Sequence, residues 1–95
     1  MAMSRKHLPK NTFRERVLSI VSRIPKGKTM SYGEVASRAG SRGAARAVGT
    51  IMKSNFDPNI PCHRVILANG KLGAYNRGGT KRKRALLKEE GARVD

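Results

Sequence analysis

The sequence has one cysteine, Cys62, among 95 residues, so no internal disulfide can form and a reducing compartment is the expected setting. It has no apolar run near the roughly eighteen residues of a membrane span, which excludes a helical membrane protein. Behind the basic start, Met1 to Lys10, no apolar stretch follows, and secretion is not expected. Acidic residues are scarce: six Asp and Glu stand against twenty-one Lys and Arg, a formal charge of +15. That imbalance on so small a chain points to a polyanion, and to nucleic acid before a membrane surface. Apolar residues are 38% of the chain, with glycine and proline scattered singly, so a disordered class is excluded too. The length suits one small core and a single domain.

Residues 1–11 read as a flexible basic lead, residues 12–91 as the domain, and residues 92–95 as a short tail. Thr12 with Glu15 forms a capping signature, and Phe13, Val17, Ile20, Val21 and Ile24 recur at helical spacing. Pro25 and Gly27 end this first helix. Ser31 with Glu34 repeats the signature for a short helix closed by Gly40. A third helix, starting at Ser41 or just after Gly43 and running toward Lys53, is kept slim by Ala44, Ala45, Ala47 and Val48 and carries Arg42, Arg46 and Lys53. A short helix, a tight break and a slim arginine-bearing helix make a helix-turn-helix pattern; an alanine-rich packing helix with solvated arginines is the plainer reading.

Asn55 to Pro61 opposes regular structure and reads as a loop. Val65, Ile66 and Leu67 lead into Asn69-Gly70, with Leu72 and Ala74 on the return, the pattern of a hairpin that serves as a wing. Thr80 to Glu90 suits a last helix with Ala85, Leu86 and Leu87 inward and Gly91 as its stop. Lys81-Arg82-Lys83-Arg84 lies in its first turns, where positive charge opposes the helix dipole unless an anion is near, although a solvated charge run explains it as well. The expected fold is mostly α with a small β wing, a winged helix-turn-helix DNA-binding domain.

Cys62 and His63 are adjacent, followed by Arg64. A thiol is a nucleophile as thiolate, and an imidazole that takes its proton is the usual means. Neighbouring side chains rarely face each other, so a working pair needs a bridging water or a turn, and a carboxylate on the far ring nitrogen; Glu89 and Glu90 are the candidates. A buried, inert cysteine is the alternative. One cysteine, its neighbour and the distant His7 do not make a four-ligand metal site.

Pro61-Cys62-His63-Arg64-Val65-Ile66 resembles the active-site signature of the O6-alkylguanine-DNA alkyltransferases, the methylated-DNA–protein-cysteine methyltransferases. Ile24-Pro25-Lys26-Gly27-Lys28-Thr29, Ser31-Tyr32-Gly33-Glu34-Val35-Ala36, Ala45-Arg46-Ala47-Val48-Gly49, and Leu86-Leu87 through Glu90-Gly91 resemble that family in order and approximate spacing, so the likeness covers about Phe13 to Gly91. It implies a minor-groove approach to duplex DNA, with Arg46 filling the stack that the target base has left and Tyr32 helping to turn the target's phosphate. Extruding a base costs on the order of a few kcal/mol and needs both a filler and a held backbone.

By the same resemblance, Cys62 attacks the alkyl carbon on guanine O6, His63 acts through water as base, Glu90 orients His63, Asn55 supports the turn, and Tyr32 donates a proton to the leaving base. Val65, with Tyr75 and Asn76, belongs to the base pocket, while Arg42, Lys53, Ala44, Ala45, Ala47, Arg77, Lys81 and Arg82 join Tyr32 and Arg46 at the DNA face. Transfer is stoichiometric, with no second thiol to remove the product thioether. No cofactor and no metal are implied. The expected partner is double-stranded DNA carrying O6-alkylguanine, met by a monomer in the cytoplasm or nucleoid, or in the nucleus of a eukaryote, without a membrane.

Two departures stand out. Asn55-Phe56-Asp57-Pro58 replaces an Asn-Pro-x-Pro run and the loop is one residue shorter, which bears on the placement of Asn55. Asn76-Arg77 precedes Gly78-Gly79 where a small serine is usual, which bears on the lid over the base. Compact alkyltransferase-like proteins, which bind alkylguanine and recruit excision-repair proteins without removing the alkyl group, share the short loop but lack the cysteine. A third class, a basic winged-helix regulator or architectural protein, predicts tight binding to undamaged DNA and an inert Cys62.

Overall fold

The computed structural model describes residues 12–94, so the basic lead expected over 1–11 lies outside the described residues. Helix α1 spans Phe13–Ser22, and the Thr12 hydroxyl accepts the Glu15 N–H at 3.2 Å, satisfying a donor that the first turn leaves free. Val17 and Val21, one turn apart, are fully buried, and Ile24 continues their face. Strand β1, Met30–Ser31, runs directly into helix α2, Tyr32–Arg38, which Ser31 caps by accepting the Glu34 N–H at 3.0 Å. Gly40, at φ +88°, breaks the chain, and a second positive-φ glycine, Gly43, precedes helix α3, Ala45–Ser54. The α2–turn–α3 unit is the expected helix-turn-helix, with Val35, Ala36, Val48, Ile51 and Met52 packed on Val17 and Val21 in the main core.

Beyond α3 the chain passes through the Asn55–Pro61 loop to a single 3₁₀ turn, Cys62–Arg64, and then to strand β2, Val65–Ile66. Here the detail departs from the sequence reading. The Asn69-Gly70 turn forms, with the Leu67 N–H donating to the Lys71 carbonyl at 2.8 Å and Gly70 at φ +87°. The return segment, however, is not a strand, and β2 pairs in parallel with β1, Met30 opposite Val65 and Ser31 opposite Ile66. Gly73 explains the difference: at φ +76° it turns the chain out of extended geometry, and its Cα side faces Tyr32 and Leu67, where an added Cβ would sit 3.5 Å from both side chains. The return crosses the Tyr32 ring and does not line up along β2.

Helix α4, Gly79–Glu89, closes the domain. Its inward face also differs from expectation. Ala85 is exposed, whereas Leu87 and Lys83, spaced by four, are fully buried. Leu87 joins Leu72 and Ala92 in a small second core, with Val94 packed against it, so residues 92 and 94 of the expected tail are packed. No described helix is long and apolar enough to cross a membrane.

Candidate active site

Two cavities meet at the 3₁₀ turn. The first, about 750 Å³, has Cys62 on its wall with Tyr32, Met52, Tyr75 and Asn76, and Arg46 and Lys53 of α3 on its exposed side. The second, about 610 Å³, is lined by His63, Arg64, Arg77, Arg82 and Glu90. Tyr75 lines both, and its ring stands edge-on to His63 with centroids 6.3 Å apart.

Cys62 is 4% exposed, and its sulfur receives a hydrogen bond from Asn55 Nδ2 at 3.2 Å. Asn55 is itself buried, and its Oδ1 accepts the Asp57 N–H at 3.2 Å, which turns the amide N–H toward the sulfur. The shortened loop therefore still brings Asn55 to Cys62.

His63 reaches the other way. Its Nε2 lies 2.9 Å from Glu90 Oε2, and Glu90, not the exposed Glu89, is the carboxylate at the ring. Among the described residues no direct hydrogen bond joins the ring and the sulfur; the two groups line separate cavities, as adjacency predicts. Glu90 is also gripped by Arg64, Nε to Oε1 at 2.9 Å and Nη2 to Oε2 at 2.8 Å, while Arg64 Nη1 donates to the Ile24 carbonyl at 2.7 Å. The Arg64 hydrogen bonds, aided by His63 and opposed by burial, hold the Glu90 carboxyl down at about 2. Glu90 is thus an anion at neutral pH, and it fixes the imidazole. The chain's periodicity gave no hint of the Arg64 clamp, because its partner lies 26 residues away.

Lys83 is the residue that the charge run concealed. Its ammonium is buried beside Tyr32, donating to the phenol oxygen at 3.3 Å and to the Ala74 carbonyl at 3.3 Å, with the nitrogen 5.5 Å from the ring centroid. Burial pulls its pKa down to about 8, against the opposing influence of negative charge at Cys62. Burial, and then the same Cys62 charge, push the Tyr32 phenol above its usual value. The signal was present in Leu87, since an inward Leu87 implies an inward residue one turn earlier.

The remaining expected site residues fall into distinct places. Ala45 lines the first cavity with Arg46 and Lys53. Ala44 precedes α3 and packs partly on the core, Ala47 is exposed, and Arg42 is exposed in the turn before the helix. Arg77 and Arg82 line the second cavity, and Lys81 is exposed on α4. Val65, expected to offer its backbone to the base pocket, has its side chain fully buried in the core, and its N–H donates to the Cys62 carbonyl. The described residues contain no cluster of three or more His, Cys, Asp or Glu fit to hold a metal.

Against known families, residues 12–92 match the model described as 6-O-methylguanine DNA methyltransferase, DNA binding domain. A methylated-DNA–protein-cysteine methyltransferase of Methanothermobacter thermautotrophicus is 46% identical over 84 residues, 87% of this chain and 46% of that protein. The chain spans about half the length of the curated relatives it matches. Among solved structures, Mycobacterium tuberculosis OGT in complex with DNA superposes with a TM-score of 0.78 at 51% identity, covering 86% of this chain and 50% of that one. A Schizosaccharomyces pombe protein bound to damaged DNA containing O6-carboxymethylguanine gives 0.75 at 36% identity, covering 83% of this chain and 75% of that one. By the match across the whole described domain and by this identity, the chain belongs to the O6-alkylguanine-DNA alkyltransferase family and carries that family's winged helix-turn-helix catalytic domain.

Proposed function

We propose that this chain repairs duplex DNA by drawing an O6-alkylguanine into the first cavity and taking the alkyl group onto Cys62, once per molecule. The observation that carries the reading is the Cys62 sulfur, held by Asn55 Nδ2 at 3.2 Å on the wall of a cavity large enough for a base, with the His63–Glu90 pair one residue away. A damage sensor that never removes the alkyl group has no use for a nucleophile and a fixed imidazole.

The chemistry balances within these residues. The thiol proton passes through a bridging water to His63, whose positive charge Glu90 stabilises. The thiolate forms the new S–C bond at the alkyl carbon as the C–O6 bond breaks, and the electron pair leaves on the base. The guanine then takes a proton from the Tyr32 phenol, which its raised pKa keeps protonated, and the Lys83 ammonium at 3.3 Å stabilises the phenolate and restores its proton. The product thioether has no second thiol to displace it, since Cys62 is the only cysteine. The exposure of Arg46 and Lys53 at the cavity supports a reading in which Arg46 fills the vacated stack and Lys53 meets phosphate.

The test mixes the protein in excess with a duplex carrying one O6-methylguanine and follows the Cys62 peptide by mass spectrometry beside the restored guanine. One added methyl on Cys62 per repaired base is the expected result, abolished in Cys62→Ala with lesion binding retained. Tight lesion binding with base and Cys62 both unchanged replaces transfer by sensing.

A further inference from the structure

The shortened loop and the altered lid meet in space, and their contacts end at the sulfur. Asn76 Nδ2 lies against three carbonyl oxygens, Lys53 at 2.6 Å, Asn55 at 2.9 Å and Met52 at 3.2 Å. The Met52 and Lys53 carbonyls belong to the last turn of α3, where intrahelical donors run out. Arg77 Nη2 donates to the Asp57 carbonyl at 2.7 Å and reaches the Asn55 carbonyl at 3.4 Å. Two consecutive lid residues thus hold the main chain of Asn55 and Asp57, the two residues whose mutual hydrogen bond aims the Asn55 amide at Cys62.

We propose that Asn76 and Arg77 are positioning residues for the nucleophile, strapping the lid to the end of α3 and to the short loop so that the Asn55 N–H is held on the Cys62 sulfur. Neither touches the sulfur; each acts through Asn55. The strap also leaves Asn76 Oδ1 and Arg77 Nε buried without partners. Unpaired buried polar groups are uncommon because each loses its water for nothing in return. A segment that only closed the lid would do so with a small residue and no such loss; here the penalty accompanies three contacts that converge on Asn55 and Asp57. The lid and the Asn55–Pro61 loop are therefore one unit, and Asn55 keeps its place at the sulfur through the contacts of Asn76 and Arg77.

The consequence rests on Cys62 being the nucleophile, but the test needs no DNA and so stands apart from the test of transfer. In the full chain, the rate at which iodoacetamide alkylates Cys62 is followed against pH, beside the thermal midpoint. Asn76→Asp keeps the side-chain shape but has no N–H to give, and Arg77→Met removes the guanidinium. Each is expected to slow alkylation at neutral pH about tenfold, the weight of about one hydrogen bond to an ionised group, and to move the rate profile to higher pH. Arg77→Lys, which keeps a donor for the Asp57 carbonyl, is expected to recover most of the Arg77→Met loss. Combined with Asn55→Ala, either lid change adds no further slowing, because all act through one amide. If the lid variants lower the thermal midpoint but leave the alkylation profile as in the wild type, or if their effects multiply with that of Asn55→Ala, the strap is a structural staple and the proposal fails. Should Asn76→Asp not fold, the Arg77→Met and Arg77→Lys pair decides the matter alone.

Discussion

The Lys83 ammonium and the Tyr32 phenol lie 3.3 Å apart inside the domain, linking the basic run of the last helix to the helix-turn-helix. A buried ammonium with a pKa near 8 is charged at neutral pH and neutral not far above it.

The pH dependence of transfer follows. As pH rises through about 8 the ammonium loses its proton, and with it the charge that stabilises a phenolate at Tyr32. The wild-type single-turnover rate should therefore level or fall as pH passes about 8. Lys83→Met should be slower by about tenfold or more at pH 7 and should lack the upper break. For stability the sign is opposite to that of a paired lysine: the folded pKa is depressed, so folding penalises the charged form below about 8, and the penalty is relieved as pH rises toward the unfolded value of 10.5. Lys83→Met should therefore match or exceed the wild type in thermal midpoint at pH 7 while losing activity. Equal single-turnover rates for the two proteins across pH 7 to 9 would remove Lys83 from the chemistry.

Glu90 gives the complementary acid-side prediction. Its folded pKa of about 2 lies below the ordinary value of 4.5, so its contribution is full above 4.5 and is lost as pH falls from there toward 2. The wild-type unfolding midpoint in urea should drop through that window, and Glu90→Gln should flatten the drop. At neutral pH the Gln variant should be less stable by about 2 kcal/mol, because Arg64 and His63 lose a charged acceptor. Transfer should fall roughly a hundredfold with the loss of an oriented base, while lesion affinity changes little. A rate unchanged in Glu90→Gln would mean that the His63–Glu90 contact only braces the fold.

How far the sequence disclosed this architecture depended on the range of the interactions. The caps at Thr12 and Ser31, the break at Gly40 and the helical periods are local, so they could be read directly. Strand pairing is not local: the Asn69-Gly70 turn was legible, but the partner of Val65–Ile66 is Met30–Ser31, more than thirty residues earlier, and nothing in either pair specifies the other. Lys83 was misread for a different reason. Four consecutive cations suggest water on all sides, yet a helix turns about 100° per residue, so one of any four faces the core. The contacts of Asn76 and Arg77 were unreadable because they are made to backbone carbonyls, which every residue possesses. At Cys62 the residue types, a lone cysteine with an adjoining histidine and a downstream carboxylate, left a buried inert thiol open, and it was the resemblance around Pro61 to Ile66 that pointed to a nucleophile.

The last prediction separates Arg46 as a charge from Arg46 as a shape. Arg46 is exposed on α3 at the cavity that holds Cys62, while the slim Ala45 and Gly49 line the same cavity and keep the helix surface low around it. A vacated base position is a flat slot between two base pairs. A planar guanidinium can stack there, whereas an ammonium on a thin stem cannot. Arg46→Lys should therefore leave affinity for undamaged duplex within about twofold, with nearly the same slope of log affinity against log salt, because one cation replaces another. It should reduce extrusion, read from the fluorescence of a base analogue set opposite or beside the lesion, and transfer should fall with it. Arg46→Ala supplies the contrast, losing extrusion and also making the salt slope shallower by about one phosphate contact. If Arg46→Lys extrudes the base as well as the wild type does, Arg46 serves only as a phosphate contact, and the filler must be sought elsewhere on the α3 face.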